Sequence, residues 1–551
     1  MRNRLLIVLC FAMLLRLPAI AQISEGGMPP GLKYSFDEKM GTTIKVDPPD
    51  IEKIKNEDEI FKKNGEALRF AQSIPVNIDL IKEGAWIRLS DGGRVCRLTI
   101  ESEDAQALII YYSQFTIPAG GKLFLYNKDR RQIIGAFTSR NNPKRCSFAT
   151  EMIQGEQVVL EYFEPEYVSG VPAIVISEVG YVYRTAENFF KHRGFGGSDT
   201  CEVNINCPEG DDWQDEKNGV VRIIVKAGPS SYWCTGSLVN NVRWDLTPYF
   251  LTADHCGNTA TPENYDQWVF YFRYEAEDCE DPLSDTLFSS YTLTGATRMA
   301  SSGGAGYASD FKLLRLNESV PDEYHPYFNG WNTVDEPSSG GVTIHHPNGD
   351  IKKISTYTDT LQSDNWGGIP NTHWRVVWSQ TQTNWGVTEG GSSGSPLFDE
   401  KGRIVGQLTG GQATCIFPSG PDYYGKFSYS WEGNTYSDST SLQPWLDPDS
   451  TGVTELDGTR VGIADQHKNQ HYLVVYPNPT DGIIHVAFPG ISGKSVHVKV
   501  FTILGVSVYE KTFADIIGNQ LNLNISHFEK GIYFLSIIID NNERQSVRII
   551  R

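Results

Sequence analysis

The stretch Leu251–Asn258, LTADHCGN, closes an apolar run with a histidine beside a cysteine. A single imidazole in such a setting usually packs or faces solvent, so its meaning depends on the rest of the chain. Two further stretches bear on it. YASDFKLLRL (Tyr307–Leu316) sets Asp310 at the head of an apolar strand, and GVTEGGSSGSPLF (Gly386–Phe398) sets Ser393 in a glycine-rich turn just before another. A hydroxyl nucleophile, an imidazole base and a carboxylate that orients the imidazole are the three side chains of acyl transfer.

Their order discriminates among folds. Histidine, then aspartate, then serine is the order used on chymotrypsin-type barrels, whereas subtilisins and α/β-hydrolases use others. Gly391 adds a physical detail. It lets the backbone turn so that its own N–H and that of Ser393 converge on one point, giving an oxyanion hole.

Around these stretches, residues 194–458 read as many short strands (GVVRIIVKA, PYFLTA, WVFYFRY, RIVGQLTGG) without helical repeats. That pattern fits a pair of closed antiparallel barrels better than a doubly wound α/β sheet. Residues 22–193 carry alternating segments such as VCRLTI and ALIIYYSQF, which predict an antiparallel β domain preceded by a charged helix or arm at EKIKNEDEIFKKNGEALRFA. This region ends in FFKHRGFGGSD, where Lys191 and Arg193 on a glycine-rich segment form an accessible processing site. Residues 459–471 read as a polar linker, and 472–551 as a small immunoglobulin-type β-sandwich. The fold class expected is mainly β throughout.

Composition narrows the function. A chain of 551 residues exceeds one hydrophobic core, and a formal charge of −19 disfavours nucleic acid or an anionic membrane surface as partner. The N-terminus combines MRNR, LLIVLCFAMLL and AIA, a signal peptide with cleavage after Ala21, and no later segment is long and apolar enough to span a membrane. Export is therefore expected. Of the nine cysteines, eight remain once Cys10 leaves with that peptide, an even count that predicts disulfides in an oxidising compartment. Six lie between Cys201 and Cys415, while Cys96 and Cys146 lie apart, so two separately stapled units are expected. The adjacent His345 and His346 would point to opposite faces of a strand with no ligand at metal spacing, and are assigned to structure. No cofactor or metal is expected. The aromatic DYYGKFSYSW is read as barrel wall.

The central block resembles the trypsin/chymotrypsin superfamily and, more closely, its bacterial lysyl endopeptidase branch. The resemblance is carried by CEVNINCPEGDDW, CTGSLVNN, YFLTADHCG, SDFKLLRLN, IHHPNGDIKKIS, GVTEGGSSGSPLFDEKGRIVGQLTGG and LDPDSTG, and spans Cys201 to about Gly458. It implies His255 as general base, Asp310 as orienter and Ser393 as nucleophile. It also implies the disulfides Cys201–Cys415, Cys207–Cys279 and Cys234–Cys256.

Two departures stand out. Ser392 occupies the place where trypsin-like enzymes put the aspartate that binds a newly freed N-terminus, and no IVGG-like start precedes the block. The branch also pairs a tryptophan with a histidine near the triad; Trp366 matches the first, but Thr409 stands in place of the second. For specificity, Val387 fills the position six before Ser393, so trypsin's pocket acid is missing. Asp422, in DYYG, matches the lysine-specific acid of the branch, and Glu389 a second pocket acid. A buried ammonium needs such a charge, and a compact acidic pocket favours lysine over arginine's wider fork.

The flanks resemble known parts too. Residues 22–193 are similar to the propeptide of the same branch, implying a folding aid and inhibitor. VVYPNPTDG and GIYFLSI in residues 472–551 resemble the sorting domain of the type IX secretion pathway, implying that export machinery as partner and a secreted or surface-attached product. The sequence thus leads to a secreted serine endopeptidase acting on proteins or peptides after lysine. A trypsin-like enzyme of broader Lys/Arg specificity and an inactive scaffold serving as a surface binding protein are the competing readings.

Overall fold

The computed structural model describes residues 24–551 except 38–39, 64–66, 185–196, 283–290, 304–307, 433–436, 461–473 and short stretches near the C-terminus (477–479, 481, 488–494, 503–504, 515–519, 540–542). The expected signal peptide, the Lys191/Arg193 processing site and nearly all of the expected linker lie outside the described residues. Met1–Ile463 and Ala464–Arg551 form two compact units.

In the first unit, Val220–Ala227 (VVRIIVKA) is buried at all eight positions. Period-two geometry explains why. Val221, Ile223 and Val225 enter the core of a first barrel with Leu238, Phe250 and Leu314. Ile224, on the opposite face, enters a second cluster with Phe70, Ile109 and Tyr111 of the N-terminal region. The strand is covered on both sides, so no polar face is needed. Around it, Ser230–Val239 pairs with Tyr249–Ala253, which pairs with Phe311–Leu316, and that strand with Ala296–Ser301. On the other side Val269–Phe272 and Tyr291–Thr294 continue the wall.

A second, ten-stranded sheet runs from Val203–Asn204 through Lys353–Tyr357, Gly341–His345, Pro396–Asp399, Arg403–Gly411 and Asp422–Lys426 to Ile369–Val376 and Gln362–Trp366. One apolar cluster joins the two barrels: Leu251, Phe311 and Leu313 come from the first, and Ile344, Phe398 and Ile404 from the second. Leu251 leads into the histidine loop, Phe311 follows Asp310, and Phe398 lies on the strand that follows Ser393. The shared core thus brings three distant stretches to one seam.

In the N-terminal region the charged segment expected as a helix or arm is a helix, Ile51–Lys63, but the end of that stretch belongs to a strand, Leu68–Asp79. That strand pairs with Ala173–Val182 on one side and with Ser230–Trp233 of the first barrel on the other. One twelve-stranded sheet therefore crosses from the N-terminal region into the barrel, beside a separate six-stranded sheet built on Arg94–Glu101.

The expected Cys96–Cys146 staple is not formed; both thiols are free. Cys96 points into the core between the sheets, where its thiol donates to the Leu80 carbonyl (3.0 Å) and burial pushes its pKa up to about 12. Cys146 sits on an exposed turn with φ +70°. One thiol faces the core and the other solvent, so they cannot meet. The other six cysteines pair as Cys201–Cys415, Cys207–Cys279 and Cys234–Cys256.

The second unit contains a three-stranded and a four-stranded antiparallel sheet. Their inward residues, among them Ile484, Val486, Val498, Val500, Leu521 and Leu535, share one core. Among the described residues of the whole chain, no helix is long and apolar enough to cross a membrane.

Candidate active site

His255 follows the strand Tyr249–Ala253, and Asp310 precedes its partner Phe311–Leu316, so adjacent strand ends deliver both. The link is double. Asp310 Oδ2 lies 2.7 Å from His255 Nδ1, and Oδ1 accepts the His255 backbone N–H at 3.0 Å. Asp310 is fully buried and takes φ +56°, a strained value for a non-glycine residue, and its own carbonyl accepts the Asp254 N–H at 2.8 Å. With Nδ1 facing the carboxylate, Nε2 is the free edge of the ring; it has no hydrogen-bond partner among the described residues.

Ser393 arrives from the second barrel. Its carbonyl accepts the Thr235 N–H at 2.8 Å and lies 3.7 Å from Cys256 Sγ, the residue after the histidine. The Cys234–Cys256 disulfide therefore sits directly behind the serine. Gly391 has φ +96°, and a Cβ there would stand 2.9 Å from Gly349 N and from His346 O. Only glycine fits that turn. Thr235 Oγ1 donates to the Gly391 carbonyl (2.9 Å) and fixes the peptide orientation.

A cavity of about 650 Å³ is lined by both Ser393 and Asp422, with Thr388, Glu389, Gly410 and Gly411 and, from the N-terminal region, Ala67, Leu68 and Arg69 also in its wall. Asp422 is fully buried. Its carboxylate accepts hydrogen bonds from Trp378 Nε1 (2.7 Å), Thr388 Oγ1 (2.8 Å) and the Ala413 N–H (3.1 Å). These donors are all neutral, so desolvation dominates and pushes the carboxyl up to about 6. Glu389 also lines the cavity, but its carboxylate is engaged by the Asp199 N–H (2.8 Å) and by Asn348, and burial raises its pKa. Trp366 lies outside the cavity wall, its ring over Gly410 and 5.3 Å from that of Tyr423.

His345 and His346 are fully buried. His345 is hydrogen-bonded to Ser392 Oγ (2.8 Å) and Ser355 Oγ (3.0 Å), so Ser392 is tied to the sheet rather than left to receive an N-terminus. Among the described residues no group of three or more His, Cys, Asp or Glu is placed to hold a metal.

Two contributors escape a reading of the sequence. Lys312, fully buried, donates to the carbonyls of Asp254 (2.9 Å) and Cys256 (2.6 Å) on either side of His255, and desolvation lowers its amine to about 8. A lysine within the apolar run FKLLRL was the signal. His373, on Ile369–Val376 and two strands from Thr409, reaches across Asp422–Lys426 to hydrogen-bond Thr409 (3.0 Å), its ring 6.2 Å from that of Trp366. A histidine thus stands next to the threonine that replaces one. Nothing local in IPNTHWRV marks it.

Residues 195–425 match the family "Lysyl endopeptidase, C-terminal domain", and residues 474–551 the family "Secretion system C-terminal sorting domain". A curated relative, lysyl endopeptidase of Pseudomonas aeruginosa, is 27% identical over 365 residues, covering 62% of this chain and 75% of its own. Similar solved structures include the thermostable serine protease AL20 from an extremophilic microorganism (14% identity, 38% of this chain and 92% of that one, TM-score 0.27) and a Glu endopeptidase (15%, 41% and 91%, TM-score 0.26). By the domain match and the curated relative, the chain is a serine endopeptidase. More particularly, it joins a domain of the lysyl endopeptidase type to a sorting domain that directs export to a secreted or cell-surface location.

Proposed function

We propose that the chain hydrolyses polypeptides on the carboxyl side of lysine through an acyl-enzyme at Ser393. His255 Nε2 takes the Ser393 hydroxyl proton as the oxygen attacks the scissile carbonyl. Asp310 holds the ring by Nδ1 and stabilises the imidazolium. The N–H groups of Gly391 and Ser393 receive the oxyanion. The imidazolium then gives its proton to the leaving amine, and water, deprotonated by the same ring, releases the peptide acid. The observation that carries lysine specificity is a single cavity lined both by Ser393 and by a buried carboxylate whose hydrogen-bond donors are neutral. A lysine ammonium reaching Asp422 supplies the counter-charge that site lacks.

The chain is made as a preproprotein: residues 1–21 leave as a signal peptide, residues 22–193 act as propeptide and inhibitor, and 194–458 are the enzyme. The pairing of Leu68–Asp79 with Ser230–Trp233, and the presence of Ala67 and Leu68 in the wall of the cavity that holds Ser393, support inhibition by occupancy. Digestion of a denatured protein by the processed enzyme, followed by sequencing of the products, tests the assignment. New C-termini should be lysine. Equal numbers of arginine termini would establish the broader specificity instead, and absence of products together with no labelling by a fluorophosphonate would leave only a binding scaffold.

A further inference from the structure

The segment Leu68–Ala71 lies along the barrel edge next to Ser393, with Leu68 opposite Trp233, Arg69 opposite Tyr232 and Ala71 opposite Ser231. Its start is anchored at the reacting centre. Ala67 is buried in the cluster that contains Cys234 and Cys256, and Leu68 contacts Gly390, where a built Cβ would lie 3.2 Å from the leucine Cβ. From there the chain runs away from the serine as an extended strand. That is the path open to the half of a substrate that departs as the amine, since the edge belongs to the first barrel and leads to Cys234, whereas Asp422 stands on a strand of the second.

Three residues after Ala67, Phe70 lies flat on Trp233, with ring centroids 4.0 Å apart and planes within 13°. The tryptophan is held by the barrel itself. Gly349 presses against its ring so closely that a Cβ there would stand 2.6 Å away. The Arg222 guanidinium lies 4.5 Å from the Trp233 centroid and is tied by Nη1 to the Gly349 carbonyl at 2.7 Å. Arg222 is also 3.6 Å from the centroid of Tyr274. Every one of these supports belongs to the barrel, so the slot stays shaped when Phe70 departs. The Trp233 indole N–H has no acceptor among the described residues, so Phe70 leaves one polar group of the slot unmet.

We propose that Trp233 and the Ser230–Trp233 edge form a substrate subsite on the leaving-group side of the cleft, which takes an aromatic side chain on the fourth residue after the cut. Main-chain pairing to the edge aligns the substrate as an added strand, and the Trp233 face selects the aromatic. Phe70 holds this subsite while the N-terminal region is in place. The inference rests on the endopeptidase reading and on removal of that region.

The test uses enzyme produced as the full chain and allowed to process. Internally quenched peptides containing Lys-Ala-Leu-Gln-Xaa, with Xaa either Phe or Ala, are compared with a lysyl reporter amide that has no residues after the cut. The Phe peptide should exceed the Ala peptide in kcat/KM by about three- to tenfold. Trp233→Leu should bring that ratio to about one, and Trp233→Phe should keep it above one. The ratio is taken within each enzyme, so changes in overall activity cancel. A ratio of one in the unsubstituted enzyme, with the reporter still cleaved, overturns the subsite and leaves the endopeptidase reading standing. Failure to cleave the reporter overturns that reading, and the subsite with it.

Discussion

The two barrels each bury an aspartate completely, and the pair differ in what faces them. Asp310, on the first barrel, is met by the His255 ring and backbone, a partner able to carry positive charge when the reaction demands it. Asp422, on the second, is met by an indole, a hydroxyl and an amide, none of which can. In the proposed mechanism, identical side chains at equal burial take different roles: the first carboxylate has its cation built in, to be formed transiently, and the second waits for one to be delivered by the substrate. A low-dielectric site makes the distinction sharp, because an unmatched charge there costs far more than at the surface.

Three substitutions probe that contrast. Ser393→Ala should lower kcat by about a millionfold while leaving thermal unfolding nearly unchanged, because the hydroxyl is needed only for chemistry. Turnover near the unsubstituted rate would disconnect the His255–Asp310 pair from catalysis altogether. Asp422→Asn should lower kcat/KM for lysyl substrates by about a hundred- to a thousandfold, chiefly through binding. The sign of its pH dependence follows from burial. With the carboxyl pushed up to about 6, the group is charged above that pH and neutral below it, so KM for lysine should rise as pH falls through about 6. Asp422→Asn should flatten that limb of the KM profile; an unchanged limb would place the specificity charge elsewhere. Gly391→Ala should have the smallest effect, about a ten- to a hundredfold loss in kcat measured with a lysyl reporter. A Cβ meets Gly349 N and His346 O there, at a φ that alanine rarely adopts, and the oxyanion turn must shift.

The stretches that meet at the candidate site were more legible in the sequence than the architecture that holds them. LTADHCGN, SDFKLL and GGSSGSP each carry a local reason for their residues, and the core that unites Leu251, Phe311 and Phe398 follows from the apolar runs beside them. Contacts made by residues far apart in sequence, with no local signature, were not legible. Cysteine parity says nothing of which way a thiol points, so the buried Cys96 and exposed Cys146 could not be told from a pair. Alternation predicts strands but not which edges meet, so the Leu68–Asp79 strand gave no sign that it would continue the barrel sheet. His373 acquires its place only through the register of Ile369–Val376 against Asp422–Lys426.

That shared sheet separates two events often treated as one. A nick anywhere between residues 79 and 230 would leave the ribbon of main-chain bonds between Leu68–Ala71 and Ser230–Trp233 whole, along with the apolar seam beneath it. Under the proposed inhibition by the N-terminal region, scission alone would then yield a noncovalent complex that is still silent. Liberation would wait for a buried strand to peel away or be digested, and latency would be timed by dissociation rather than by the first broken peptide bond.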